Sequence, residues 1–152
     1  MGLPRPLYTV EERRRRDASP WTRVQAVLAP TQFVVCLISA ALVIRFLVTG
    51  EGQTMATVSV VGKTLILYAI MVTGAIWEKD VFGQYLFARP FFWEDTVSMV
   101  VIALHTTYLV GLVIGVAPRE LFVIALAGYA TYAINAAQFV NKLRLARRSV
   151  VA

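Results

Sequence analysis

The stretch VLAPTQFVVCLISAALVIRFLV, Val27 to Val48, decides the fold. Its only charge is Arg45, close to its far end. A helix rises about 1.5 Å per residue, so ~20 apolar residues cross the apolar core of a bilayer. The run is longer than the ~7–15-residue core of a secretory signal, which marks it as a retained span. Pro30 lies one turn inside and is expected to kink the helix near its start. Three later runs have the same character. They are Thr57 to Trp77, interrupted by Lys63; Thr96 to Val116, interrupted by His105; and Leu121 to about Val140, containing Asn135 and Gln138. The expected fold is all-α: an integral membrane four-helix bundle forming a single domain over residues 1–152. Its parts are an arm at 1–18, spans at about 27–48, 57–77, 96–116 and 121–140, and a tail at 141–152.

Composition agrees. Of 152 residues, 58% are hydrophobic and 16% charged, against roughly a quarter charged in a soluble domain. The net charge of +6 would suit nucleic acid, but the cations flank the apolar runs. That is a topogenic pattern, and no nucleic-acid partner is expected. The single cysteine, Cys36, has no partner for an internal disulfide.

The basic residues also orient the chain. Arg5, Arg13 to Arg16 and Arg23 precede the first span, Lys79 and Arg89 lie between the second and third, and Lys142, Arg144, Arg147 and Arg148 follow the fourth. The opposite loops, around Gly50-Glu51-Gly52 and Ala117-Pro118-Arg119-Glu120, hold only Arg119. The positive-inside rule then puts both termini and the middle loop in the cytoplasm. In the arm, Thr9 and Glu12 have capping-box spacing, predicting a short interfacial helix. Ser19-Pro20 reads as an N-cap followed by proline at the first helical position.

Small residues recur in the spans and point to close helix packing in lipid. Arg45 and Lys63 lie toward the outer ends of their helices and are expected to snorkel toward Glu51 or Glu120. His105 lies near the midplane, on one stripe with Glu94, Ser98 and Leu112. It is either a neutral histidine bonded to a neighbouring helix or an axial ligand to the metal of a tetrapyrrole. A polar layer is expected nearer the cytoplasm, from Gln32, Glu78, Glu94, Asp95, Ser98, Asn135, Gln138 and Asn141. The loop from Glu78 to Asp95 crowds Phe82, Tyr85, Phe87, Phe91, Phe92 and Trp93 beside Trp77. That is either an aromatic belt or a platform for a large flat ligand.

Three stretches carry a family resemblance: LYTVEERRRRDASPWTRVQ (Leu7 to Gln25), VTGAIWEKDVFGQYLFARPFFWEDTVSMVVIALHTTYL (Val72 to Leu109) and YATYAINAAQF (Tyr129 to Phe139). They resemble the vinyl hydratase family of bacteriochlorophyll biosynthesis, and the similarity runs over nearly the whole chain. The resemblance implies addition of water to the C3 vinyl group of chlorophyllide a or 3-vinyl bacteriochlorophyllide, giving the 3-(1-hydroxyethyl) pigment. It implies a bacterial cytoplasmic or intracytoplasmic membrane, and leaves open a homo-oligomer and association with other enzymes of the pathway. Hydration needs no redox cofactor, so magnesium is expected only as part of the tetrapyrrole.

Such a hydration needs a neutral acid and an acceptor that orients water. Glu78 ends the second span, where the helix dipole disfavours an anion, and is expected to be the acid. Glu94 and Asp95 begin the third, where the dipole favours one, and supply the ionised partner. His105 would ligate the substrate magnesium, Asn135 or Gln138 would hold water, Lys79 or Arg89 would meet the propionate, and Trp77, Phe92 and Trp93 would line the macrocycle. The competing class is a non-enzymatic pigment-binding or assembly subunit holding one chlorin through His105. A small exporter fits poorly, because no span carries a carboxylate near its middle.

Overall fold

The computed structural model describes residues 6–151, and their side chains through Arg148. Arg5 and the last residue of the tail lie outside the described residues. The short helix α1 spans Val10–Ala18 and opens with the expected capping box. The Glu12 amide donates to Thr9 Oγ1 at 3.1 Å, and the Thr9 amide donates to Glu12 Oε2 at 2.8 Å. Ser19 then caps α2, Pro20–Thr49, with Pro20 at its first position. The helix continues through Pro30 and stops at Gly50, whose φ of 74° suits a residue without a Cβ.

Helix α3 covers Gln53–Phe82. A loop and a 3₁₀ turn at Arg89–Phe91 lead into α4, Phe92–Ile114, and α5 runs over Pro118–Val151. Four of these helices are long and apolar enough to cross a membrane. Each starts before its apolar run and all but α4, which stops at Ile114, also run past its end, because caps, rather than hydropathy, set where a helix starts and stops. The chain is thus a multi-pass, all-helical membrane protein.

The architecture is two antiparallel hairpins, α2–α3 and α4–α5, each with close helix-to-helix contact. The hairpins meet more sparingly, through α2 against α5 and α3 against α4. Phe46, Val60, Leu67, Val101, Tyr108, Phe122 and Tyr129 fill the core. Leu37, Val58, Leu65, Val110 and Val123 face outward, as lipid-facing positions do. Four crossings place both chain ends and the α3–α4 loop at one end of the bundle. At the other end Arg119 Nη2 donates to the Leu47 carbonyl at 3.2 Å, serving a backbone acceptor that the end of α2 leaves open.

Two cations behave differently from each other. Arg45 is exposed and reaches the α2–α3 turn beside Gly52, as snorkelling predicts. Lys63 does not snorkel: it is fully buried. Its position explains this. Ala56, Val60, Lys63 and Leu67 form one buried stripe of α3, so the side chain points into the bundle and has no path to either surface.

Candidate active site

The end of the bundle that holds both termini gathers the carboxyls. Glu78 lies in the last turns of α3, and Glu94 and Asp95 in the first turn of α4. All three are at most 5% exposed. The α3–α4 loop folds over them. The Ala88 amide donates to Glu78 Oε2 at 3.3 Å, and the Phe87 amide donates to Asp95 Oδ2 at 3.0 Å. Phe87 adopts a φ of 61° to do so, the one described non-glycine residue in the left-handed region. The Glu78 and Asp95 carboxyls also lie close enough to interact with each other. Two carboxyls in such proximity can share a single proton, one donating to the other. The end of α3 disfavours an anion and the start of α4 favours one.

Glu94 has a separate arrangement. Its Oε1 lies 3.2 Å from Lys142 Nζ, which also donates to the Pro90 carbonyl at 2.6 Å. Its Oε2 is buried without a hydrogen-bond partner. Asn135 Nδ2 donates to the Glu94 carbonyl at 2.9 Å, and the Ser98 hydroxyl lies 3.1 Å from Asn135 Oδ1. Gln138 Oε1 stands 3.4 Å from the same Asn135 amide. Glu78, Glu94, Asp95, Asn135 and Gln138 therefore do come together.

The aromatic residues divide. Trp77 packs inward, edge-on to Phe82 and Phe91, and its Nε1 donates to Thr22 Oγ1 at 2.9 Å. Phe91 stacks on Phe139. These rings brace the loop from beneath. Phe92 and Trp93 stand outside at 45% and 69% exposure, with Phe87 and Tyr85 beside them on the same loop. Lys79 turns away from Glu78, donating to the Gly83 carbonyl at 3.0 Å and lying 5.5 Å from the Tyr85 ring. Arg89 is exposed on the loop.

His105 does not join the carboxyls. It lies about 15 Å further along α4 from Asp95, ten residues at the helical rise. Its Nδ1 bonds the Val101 carbonyl at 2.7 Å, and its Nε2 faces Lys63 Nζ at 3.2 Å in the closed interior. Axial ligation would require Lys63 to give up that nitrogen. Lys142 has a place at the site that charge counting alone does not reveal. The signal for it is periodic: Asn135, Gln138 and Lys142 follow one face of α5.

Fold and site together define a polytopic membrane protein with three buried carboxyls gathered at one end of its bundle. The chain belongs to the 2-vinyl bacteriochlorophyllide hydratase (BCHF) family, whose model matches residues 8–145. It is 64% identical over 141 residues to the 2-vinyl bacteriochlorophyllide hydratase of Rhodobacter capsulatus, covering 93% of this chain and 82% of that protein. To the protein of the same name from Cereibacter sphaeroides it is 62% identical over 143 residues, covering 94% and 89% respectively. No solved structure matches the chain.

Proposed function

We propose that the chain is a hydro-lyase that adds water to the vinyl group of a bacteriochlorophyllide-type pigment, and that Glu78 and Asp95 are its acid–base pair. Family membership supports the activity. The observation that supports the assignment is the pairing of two buried carboxyls, Glu78 and Asp95, brought together from different helices. A neutral carboxylic acid beside a carboxylate is what general acid–base hydration needs.

Glu78 gives its proton to the terminal vinyl carbon, which becomes a methyl group. The cation forms on the carbon attached to the macrocycle, where the ring delocalises it. Water bonds there, held by the unpartnered Glu94 Oε2. Asp95 takes the proton that water releases. Transfer between the two neighbouring carboxyls then returns that proton to Glu78, so the cycle closes without any other reactant. The exposed rings of Phe92 and Trp93 offer the macrocycle a flat apolar surface beside the loop. Lys79 and Arg89 attract an acid-bearing pigment to that surface. The placement of the basic residues supports a bacterial inner membrane with this end in the cytoplasm.

The test is direct. Membranes containing the protein are incubated with the vinyl pigment in ¹⁸O-labelled water. The expected product is heavier by one labelled water, with the label on the carbon attached to the ring. Pigment that binds and returns unchanged would identify a binding subunit instead.

A further inference from the structure

The buried Lys63 has no role in that scheme. Its Nζ lies 3.2 Å from His105 Nε2 and 3.9 Å from the centre of the Tyr132 ring, and no ion pair joins it to a carboxylate among the described residues. The His105 Nδ1–H donates to the Val101 carbonyl at 2.7 Å, which leaves the Nε2 lone pair aimed at the ammonium. Gly128 makes room for the ring: a Cβ there would sit 3.1 Å from it. A charge in the apolar part of a membrane helix is costly, ~2.5–3.5 kcal/mol at the centre on insertion scales, and it persists where it serves a purpose.

Lys63 belongs to α3 and His105 to α4. Those helices belong to different hairpins, and each also carries one member of the carboxyl pair. The hairpins touch sparingly. Lipid supplies no hydrophobic drive to fix their register, so directional polar contacts do that work. Polar contacts between the hairpins include Lys63 with His105, Tyr68 with Thr106 at 2.6 Å, Ser39 with Tyr129 at 2.6 Å, and Arg119 with the Leu47 carbonyl at 3.2 Å. We propose that Lys63 and His105 are positioning residues for the hydration: their contact sets the register of α3 against α4, and with it the spacing of Glu78 and Asp95. The proposal rests on the acid–base assignment above.

A misplacement near 1 Å can cost on the order of 100-fold in rate. Lys63→Met is therefore expected to lower kcat at least about tenfold, with KM within about twofold. In a Glu78→Gln background it is expected to change the residual rate less than about twofold, because its effect runs through the pair. His105→Gln keeps an acceptor for the ammonium and is expected to retain most of kcat. The double variant Lys63→Met/His105→Leu removes both polar groups, restores thermal stability, and is expected to stay slow. It carries the test if the single variant does not fold.

Three results would overturn the proposal. A rise in KM at unchanged kcat would make Lys63 a ligand contact. Losses that multiply with Glu78→Gln would make it independent of the pair. A fast Met/Leu double variant would show that the contact positions nothing. If the acid–base assignment itself fails, the sign is different: Glu78→Gln alone would keep its full rate.

Discussion

Lys142 ties three parts of the site together, so its removal has a calculable effect. Lys142→Met leaves the buried Glu94 carboxyl without its ion-pair partner. Breaking a fully buried pair costs about 3–5 kcal/mol, and an exposed pair is worth about 0.2–1 kcal/mol. Here the side chains are 31% and 7% exposed, so solvent screens one partner only. The loss falls between those limits, at about 2 kcal/mol, with about 1 kcal/mol more for the bond to the Pro90 carbonyl. Glu94→Gln in the same chain removes the stranded carboxyl and should recover about 1–2 kcal/mol. The assay is reversible unfolding in mixed micelles, followed by tryptophan fluorescence, on both single variants and the double. A Lys142→Met variant within about 0.5 kcal/mol of the parent would refute the reasoning, as would a double variant no more stable than Lys142→Met.

Two other changes probe the supports of the site. Phe87→Gly should be more stable than Phe87→Ala by about 1 kcal/mol, because φ of 61° penalises any Cβ, and both lose the same ring; equal stability would remove the strain argument. Gly128→Val should destabilise the bundle more than Gly128→Ala, since the added methyls meet the His105 ring where one Cβ is already at 3.1 Å. Thermal unfolding of the two variants would show the order, and a Gly128→Val protein as stable as the parent would contradict it.

Much of this architecture is legible in the residues. Hydropathy locates four spans, and Thr9, Glu12, Ser19 and Pro20 mark two helix starts by their own chemistry. Antiparallel threading already brings Glu78, Glu94, Asp95 and Asn135 to one level. The pairing within that level is not legible. Whether Asp95 or Glu94 meets Glu78 depends on how α4 is rotated, and the loop amides of Phe87 and Ala88 decide it. Lys63 shows a different limit. Hydropathy places it near a helix end, where snorkelling is ordinary. The stripe of Ala56, Val60 and Leu67 on the same face of α3 outweighs that, because a side chain follows its helix face before it follows its charge. The aromatic loop divides for a similar reason. Phe91 closes the 3₁₀ turn and points inward, while Phe92 and Trp93 follow on the outer side of α4.

The acid role of Glu78 is tested most directly by hydration kinetics of Glu78→Gln at saturating pigment. Glutamine keeps the size of the side chain and can still donate to Asp95, so the fold should survive. It cannot give a proton to carbon. Loss of a general acid costs about 10²–10⁴-fold in rate, about 2.7–5.4 kcal/mol at 1.36 kcal/mol per decade. The account predicts a fall in kcat of that size with the pigment still bound. A Glu78→Gln protein that hydrates the vinyl group at the parent rate would contradict it.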